Sequence, residues 1–353
     1  MKIAYALCSW GLGHATRSLP IIRRLAEDGH EIDIICSGKP LEFLKKNLLD
    51  TVDYVEFPEP PNPFSAGGLG VSFGFSSKMP AVALSVISER RRFNRYFSAE
   101  KPQMVISDSR YGVGTAKVPS FFVSHQLTLM SPYFFRPMHF TELLNYAFKS
   151  YRKLIVPDFE NDGLSGDMSH NLLFTRRKRI EYVGPLSDFR FKGVKKDVDC
   201  LISVSGPEPT RTDFEKKIFE HIGDISGNVV VSLGKAGSDV PYDVGDATVY
   251  DHMDKDTREN LMNRAKIVVS RSGYSTVMDL YVLRSKALYI PTPGQTEQEC
   301  LARYLKAKGV SYFVPQKKLN FPNDLKEAKA YKGFNDKYDV EQSVDNFMDV
   351  VFN

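Results

Sequence analysis

Hydrophobic residues in the first half of the chain follow two alternating patterns. Short continuous apolar runs predict buried parallel strands, and runs with apolar residues three or four positions apart predict helices. Strands are predicted at residues 2–8, 31–36, 52–57, 103–107 and 119–124, with helices at 15–28, 41–49 and 80–97. This alternation is typical of a parallel sheet with crossover helices.

The same alternation begins again after a polar stretch at residues 183–197, which contains Gly and Pro and is typical of a linker. Strands are predicted at residues 199–205, 228–233, 248–251, 266–270 and 286–291, with helices at 213–221, 255–264, 276–282 and 297–308. A chain of 353 residues also exceeds what one hydrophobic core usually holds. We therefore predict two domains, residues 1–187 and 188–339, with a terminal helix at about 340–353 that packs back on the first domain.

The net charge and the cysteine positions argue against a nucleic-acid-binding protein and against a metal site. A net charge of +4 is too small for a clustered nucleic-acid-binding face, although it suits anionic small ligands or an acidic membrane surface. Cys8, Cys36, Cys200 and Cys300 lie far apart in sequence, and no DxD-type acidic pair follows a strand, so no metal site is predicted. The first residues do not resemble a signal peptide and no apolar stretch could span a bilayer, so a cytoplasmic protein is expected.

A glycine turn follows the first predicted strand and ends in a histidine. Gly11 and Gly13 allow a ligand to approach the backbone, and the next helix directs N–H groups toward it. A nicotinamide site is disfavoured because Thr16 replaces the third glycine of that motif and no acid ends the second strand. His14 could remove a proton from a hydroxyl, or it could pack against the turn; the residues alone leave both interpretations open.

Three polar segments follow strands of the second half: SVSGPEP at residues 203–209, SRSGYST at 270–276, and PTPGQTEQE at 291–299. The N–H groups and hydroxyls of the second segment could hold a diphosphate at a helix N-terminus. Asp279, one to two turns further along, could accept hydrogen bonds from ribose hydroxyls, and the amides of the third segment suit a sugar. Each segment alone could be an ordinary capped helix start, but together they predict a nucleotide-sugar site.

These motifs resemble the donor site of GT-B glycosyltransferases. The similarity is greatest to the branch that contains the lipid II-forming N-acetylglucosaminyltransferase and the UDP-glycosyltransferases, and GLGHATR resembles the glycine turn of that branch. KPQMVISDSR and VSHQ resemble a poorly characterised set of prokaryotic glycosyltransferase-like proteins. The resemblance implies an α/β protein of the GT-B fold, with two Rossmann-like domains facing a central cleft.

The resemblance also implies roles for individual residues. His14 matches the active-site histidine, and Asp108 lies near the position of an aspartate that orients it. The implied donor-binding residues are Ser205, Gly206, His252, Met253, Ser272, Gly273, Tyr274, Ser275, Thr276, Asp279, Gln295, Glu297 and Gln298. The implied acceptor-side residues are Gly11, Gly13, His125 and Gln126. Asp279 stands where the family has a longer ribose-binding Glu, so this contact is expected to differ. Glu297 stands where the family has one of two sugar-reading amides, so the donor sugar is expected to differ.

The implied reaction is an inverting, metal-independent transfer of a sugar from a nucleotide-diphosphate donor, with UDP as the expected nucleotide, to an acceptor hydroxyl. No cofactor is expected beyond the donor, and the acceptor could be lipid-linked or soluble. Two alternatives stay open: a nucleotide-sugar 2-epimerase, which needs no acceptor, and a non-catalytic nucleotide-sugar-binding protein.

Two regions have unusual composition. Residues 58–80 are rich in Pro and Gly and are predicted to form a long binding loop or lid. Residues 129–154 combine many aromatic rings, Tyr151 among them, with the basic residues Arg136, Lys149, Arg152 and Lys153. They could form a crossover helix with a solvated basic face, or a patch that lies on an anionic membrane and makes the protein peripheral there.

Overall fold

The computed structural model describes residues 1–48, 51–58, 71–131, 136–142, 150–235 and 237–353. The chain divides into two compact units: unit 1 comprises Met1–Asp188 and Asp339–Asn353, and unit 2 comprises Phe189–Tyr338. The first division falls one residue after the boundary that the sequence predicts, and the last fifteen residues return to unit 1.

Strands and helices are numbered here along the described chain. The strands are β1 Lys2–Leu7, β2 Glu31–Cys36, β3 Asp53–Glu56, β4 Met104–Asp108, β5 Ser120–Val123, β6 Leu129–Met130, β7 Pro137–Met138, β8 Lys153–Val156, β9 Ile180–Tyr182, β10 Cys200–Ser203, β11 Val229–Ser232, β12 Tyr242–Val244, β13 Ala247–Tyr250, β14 Val268–Ser270, β15 Ala287–Tyr289 and β16 Tyr312–Phe313. The α-helices are α1 Gly13–Glu27, α2 Gly38–Leu48, α3 Val71–Glu100, α4 Thr210–His221, α5 Lys255–Arg264, α6 Tyr274–Val282, α7 Thr296–Ala307, α8 Phe321–Ala330 and α9 Val340–Phe352. Short 3-10 turns lie at His139–Thr141, Gly166–Met168, Arg177–Arg179, Ile222–Asp224 and Gln316–Lys318.

Unit 1 is a three-layer structure around a parallel sheet of strand order β3-β2-β1-β4-β5-β8-β9. Alternate residues of β1 face opposite layers, as the pleat of a strand requires. Ile3 and Leu7 belong to a core shared with α1, α2 and α9. Ala4 and Ala6 belong to a second core with Phe93 of α3. Burial on both faces explains why the strand sequence is almost continuously apolar.

Unit 2 repeats this plan with the strand order β12-β13-β11-β10-β14-β15-β16. All neighbours pair in parallel except β12, which runs antiparallel to β13 at the edge. Its core combines strand residues such as Ile202 and Val269 with Phe214 of α4 and Phe321 of α8. Edge strand β12 is largely exposed, which removes the apolar signal that would have predicted it.

The first half of the sequence contained two segments that were assigned wrongly. Helix α3 begins at Val71 rather than at residue 80, so the last ten residues of the predicted lid are helical, and residues 59–70 lie outside the described residues. The predicted linker is not wholly a linker, because Val183 and Leu186 are buried in the core of unit 1. No helix in the described part of the chain is long and apolar enough to cross a membrane.

Each sheet reverses its strand order beside its first strand. In unit 1 the chain moves from β1 outward through β2 and β3, then returns to place β4 on the other side of β1. In unit 2 the strands β11 and β14 flank β10 in the same way. Open α/β sheets bind ligands at the carboxyl ends of the strands at such a switch point. The two switch points are therefore the places to look for functional groups.

Candidate functional site

The switch point of unit 1 carries the His14–Asp108 pair. β1 and β4 pair in register so that Leu7 lies beside Asp108, and the turn after β1 leads into α1, whose second residue is His14. The Nδ1 atom of His14 lies 2.9 Å from Oδ1 of Asp108. The histidine side chain is 19% exposed whereas the aspartate is fully buried, so only the histidine can reach a ligand.

Asp108 is held by several donors from α1. Nε of Arg17 donates to Oδ2 at 2.8 Å, Nη2 of Arg17 donates to Oδ1, and the hydroxyl of Ser18 donates to Oδ2 at 3.2 Å. Burial alone would raise the pKa of Asp108, but the charge of Arg17 and the contact with His14 hold this pKa well below its usual range. Asp108 is therefore an ionised group that orients its neighbours and does not take up protons.

An ionised Asp108 determines which nitrogen of His14 carries the proton. A carboxylate only accepts hydrogen bonds, so Nδ1 of His14 must donate to it. Nη2 of Arg17 also lies 3.0 Å from this nitrogen, but that group already donates to the carboxylate. The Nε2 atom of His14 makes no hydrogen bond within the described residues and keeps its lone pair. This arrangement is the one that a general base with an orienting carboxylate requires.

Arg17 is the residue at this edge to which the sequence assigned no role. It is the last residue of the GLGHATR motif, three positions after His14, so its side chain lies on the same helix face. Its side chain is 4% exposed, and its Nη1 atom lies 3.0 Å from Nδ1 of His125. The arginine thus joins His14 and Asp108 to a second histidine, at the end of β5.

The other acceptor-side residues lie around the same edge. Gly11 has a φ of +144°, a conformation that L-residues with side chains rarely adopt, so the turn before α1 needs a glycine there. Gly13 opens α1. The side-chain amide of Gln126 lies 3.9 Å from the sulfur of Met168 and is not joined to His14 by any hydrogen bond in the described chain. The structure therefore joins His125 to the hydrogen bonds around Asp108, whereas Gln126 lies next to His125 in sequence without joining them.

The loop after β4 is fixed by a buried ion pair. Ser109 has a φ of +60°, which is strained for a residue other than glycine. Next to it, Nε of Arg110 donates to Oε1 of Glu89 at 2.6 Å, and the backbone N–H of Gly112 donates to the other oxygen at 2.8 Å. Both charged side chains are at most 5% exposed. This pair holds the turn that positions Asp108.

At the switch point of unit 2, the N-terminus of α6 follows β14 directly. Gly273 is the N-cap residue, and it has no side chain with which to cap the helix. The first N–H groups of a helix have no acceptor within it, so the first turn, with the hydroxyls of Ser275 and Thr276, can receive an anion. The Tyr274 side chain is buried, and it contributes its backbone to this turn.

The second and third polar segments meet at Gln298. Its Oε1 atom accepts from the N–H of Thr292 at 2.8 Å, and its Nε2 atom donates to Oε1 of Gln295 at 2.7 Å. The hydroxyl of Ser272 donates to its backbone oxygen at 2.8 Å. Gln298 is 8% exposed, so it positions the loop before α7 as well as offering its remaining N–H. Glu297, its neighbour, is partly exposed.

The first segment is joined to the second by Arg271, which sequence reasoning did not assign. Its Nε atom donates to the oxygen of Ser205 at 3.1 Å, and its Nη atoms donate to the oxygens of Thr210 at 3.1 Å and Ile290 at 2.9 Å. Burial lowers the pKa of Arg271 to about 10. In the described part of the chain no carboxylate lies within ion-pair distance of this guanidinium, so its positive charge is available to a bound anion.

The remaining predicted donor residues lie along the same edge. Gly206, with a φ of +118°, follows Ser205 and allows the turn after β10. Asp279 is partly exposed on α6. His252 is exposed after β13, two strands from β10, whereas the Met253 side chain is buried, so Met253 offers only its backbone to a base. The described residues contain no cluster of His, Cys, Asp or Glu with metal-ligand geometry.

The predicted membrane patch at residues 129–154 lies partly outside the described residues, and the residues that are described do not all lie at the surface. Tyr151 is 4% exposed and its hydroxyl donates to the oxygen of Val113 at 2.6 Å, so its assignment to a surface patch is wrong. Lys153 opens β8 and pairs with Glu181. Arg136 and Arg152 are exposed, and Lys149 lies outside the described residues.

Comparison with known proteins places this architecture among glycosyltransferases. Residues 228–343, about a third of the chain, match the C-terminal domain of glycosyltransferase family 28. An uncharacterized glycosyltransferase of Methanosarcina acetivorans is 24% identical over 88% of this chain and 82% of its own length. The UDP-N-acetylglucosamine--N-acetylmuramyl-(pentapeptide) pyrophosphoryl-undecaprenol N-acetylglucosamine transferase of Clostridium perfringens is 23% identical over 96% of this chain and 94% of its own.

Solved structures share the fold over almost the whole chain. The glycosyltransferase of kitacinnamycin superposes with a TM-score of 0.65 at 13% identity, covering 99% of this chain and 94% of its own. MurG of Acinetobacter baumannii superposes with a TM-score of 0.59 at 13% identity, covering 99% and 98%. The fold class predicted from the sequence is confirmed. The chain therefore has the GT-B fold, and its residues 228–343 match the C-terminal domain of glycosyltransferase family 28.

Proposed function

We propose that the protein transfers a sugar from a UDP-sugar to an acceptor hydroxyl with inversion at the anomeric carbon. The observation that carries the proposal is the switch point of unit 2, where Arg271 and Gln298 tie three polar segments around the open N-terminus of α6. A helix N-terminus beside a buried cation favours the diphosphate of a nucleotide sugar. Asp279 accepts the ribose hydroxyls, and the partly exposed Glu297 contacts the sugar.

In the proposed reaction, Nε2 of His14 takes the proton of the acceptor hydroxyl as its oxygen bonds to the anomeric carbon. The bond from that carbon to the diphosphate breaks on the opposite face, and its electron pair leaves with the nucleotide. Asp108 orients the imidazole by accepting the proton on Nδ1, in the manner of a base and its orienting carboxylate. The N–H groups of α6 and the charge of Arg271 stabilise the departing diphosphate without a metal ion.

The experiment is a panel of nucleotide sugars tested for thermal stabilisation, followed by assay of the best ligand with and without acceptors. A ligand that binds only the folded state raises its stability, so the true donor is expected to shift the melting temperature most. Transfer is expected to require acceptor and to survive EDTA, and the product anomer is read by NMR. Isomerisation of the sugar without acceptor would support the epimerase. Donor binding with neither transfer nor isomerisation would support the non-catalytic protein.

We further propose a lipid-linked acceptor, reached through a membrane-binding loop at residues 171–179. The structure favours this loop over residues 129–154, because two large apolar side chains, Leu173 at 68% and Phe174 at 50% exposure, stand next to the basic run Arg176–Arg179. Amphipathic surfaces with this composition bind anionic lipid. The similarity to a relative whose name includes a pyrophosphoryl-undecaprenol substrate supports the same acceptor class.

The loop is held rigidly by a buried carboxylate. Glu142 is fully buried, and its oxygens accept from the N–H groups of Leu173, Phe174 and Thr175 at 2.9–3.0 Å. Burial would raise the pKa of Glu142, but these N–H groups and His139 lower it, so the carboxylate stays charged and keeps the loop in place. The two apolar side chains are thus presented outward at no further ordering cost.

Flotation with anionic and neutral vesicles tests the loop. The wild type is expected to float with anionic vesicles at low salt and to be released by high salt. The double variant L173E/F174E should stay unbound, while V240E, which alters an equally exposed apolar residue of unit 2, should bind as the wild type does. Binding that is equal in all three proteins would remove the loop from the proposal and leave the donor site untouched.

A further inference from the structure

The Arg17 guanidinium contacts three groups that take part in proton chemistry. Its Nε and Nη2 edge faces Asp108, its Nη1 atom faces His125, and Nη2 also lies beside His14. Arginine carries only donors, so a partner must either accept a hydrogen bond from it or, as His14 does, donate to the same carboxylate oxygen. One buried cation therefore constrains the protonation of two histidines and a carboxylate at once.

His125 is constrained most directly. Its Nδ1 atom lies 3.0 Å from Nη1 of Arg17, which can only donate, so Nδ1 must carry a lone pair. The proton of a neutral His125 is therefore on Nε2. His14 has the opposite tautomer, with its proton on Nδ1 facing Asp108 and its lone pair on Nε2. The two histidines of one network are thus held in complementary forms.

The charge of Arg17 also changes what Asp108 does for His14. In an isolated histidine–aspartate pair, the full negative charge of the carboxylate stabilises the imidazolium. Here a side-on arginine neutralises that charge, and the network goes from net zero to +1 when His14 takes a proton. Tyr5 of β1 is a further titratable group beside Asp108, and because burial raises its pKa above the usual value it stays neutral. The groups that set the charge around His14 are therefore Asp108, Arg17 and His125.

We infer that Arg17 is a positioning residue that keeps His14 in its neutral, proton-accepting form, and that His125 anchors Arg17 in the geometry that does so. This inference rests on the proposed role of His14 as the base. It extends that role, because the carboxylate alone would favour the protonated histidine, which cannot accept a proton from the acceptor. Asp108 still orients His14, while the charge of Arg17 cancels most of the effect that the carboxylate would have on the basicity of the histidine.

The test uses the full-length protein with ring-labelled ¹⁵N-histidine, and NMR resonances are assigned with H14Q and H125Q. In the wild type, His125 is expected as the Nε2–H tautomer and His14 as the Nδ1–H tautomer. In R17M, the pH at which the His14 ring becomes half protonated should rise by about one unit. The acid limb of kcat/KM should move with it, whereas a purely structural loss would lower kcat/KM equally at every pH.

Two further variants keep the result interpretable. R17K retains the charge with less disturbance, so its His14 titration should stay close to that of the wild type even if R17M does not fold. R23M removes another arginine of α1, which pairs with Asp188 away from the site, and should shift nothing. A wild-type His125 with its proton on Nδ1, or a folded R17M with an unchanged His14 titration, would overturn the inference. If the titrations behave as expected but H14A stays active, only the proposed base is lost.

Discussion

The two switch points share one topology but are equipped with opposite chemistry. In unit 1 the carboxyl ends of β1, β4 and β5 carry charged and titratable side chains: His14, Arg17, Asp108 and His125. In unit 2 the ends of β10, β14 and β15 carry backbone amides and small hydroxyls, and the buried Arg271 donates to carbonyl oxygens and lies over the ring of Phe214. The first edge is suited to move a proton and the second to hold an anion. The fold thus supplies the place, and a few side chains decide the chemistry.

The strongest way to test this contrast is to remove the base. H14A should lower turnover by about two to four orders of magnitude, the usual contribution of a positioned general base. Donor affinity should stay within a few-fold, because the proposed diphosphate site lies in unit 2. Steady-state kinetics and calorimetric donor titration measure the two quantities separately. H221A, at an exposed histidine of unit 2, is the matched control, and turnover in H14A equal to that control would make His14 structural.

The charge balance of unit 1 can be tested through stability. D108N leaves Arg17 buried without its carboxylate, which should lower the free energy of unfolding by about 3–5 kcal/mol at pH 7. Since the folded pKa of Asp108 is depressed, its contribution is fully present above the unfolded value near 4 and is lost as the pH falls through the folded value. Urea unfolding from pH 7 to pH 3 should therefore show a constant gap to the wild type down to about pH 4, and the onset of its narrowing below that.

The control for that series is D197N, which breaks an exposed pair with Arg264 in unit 2. Exposed pairs are screened by solvent, so this change should be much smaller. A D108N gap that stays constant with pH would mean that the aspartate is not held ionised by the network.

The anion site of unit 2 can be blocked sterically. G273L places a branched side chain at the N-cap of α6, where the diphosphate would lie, and should weaken donor binding at least about tenfold, or about 1.4 kcal/mol. G223L introduces the same side chain at an open position of unit 2 away from this edge. Donor affinity in both is measured by calorimetry, with circular dichroism to verify folding. Equal affinities would contradict the assignment of the α6 N-terminus to the diphosphate.

The smallest expected effect concerns the ribose contact. D279E installs the acid that the resembling family carries, and the longer side chain should change affinity for UDP by no more than about threefold. E297Q should leave UDP affinity unchanged while altering the preference among UDP-sugars, because Glu297 is the group proposed to contact the sugar. Competition assays with UDP and with UDP-sugars separate the two effects. A large loss of UDP affinity in E297Q would place that residue elsewhere in the site.

Much of the fold and of the candidate site could be predicted from local pattern. Apolar runs such as KIAYAL and EIDIIC marked the central strands because they are buried on both faces, and Gly-rich turns marked the strand ends. Edge strands β9, β12 and β16 were missed because they are short and partly exposed, so burial leaves no continuous apolar run. Residues 71–80 were taken for a loop because Gly and Pro outweighed the helical pattern there.

The sequence by itself determined the two-part α/β organisation and the strand ends where candidate binding residues gather, since these depend on periodicity and on turn residues close together in the chain. It also singled out His14, Asp108 and the SGYST helix start. Only the tertiary structure decided that Arg17 reaches Asp108, 91 positions away, and that Arg271 draws together loops that end three different strands. A buried arginine looks like any surface arginine in a sequence, because its partners are carbonyls and carboxylates that only folding brings near.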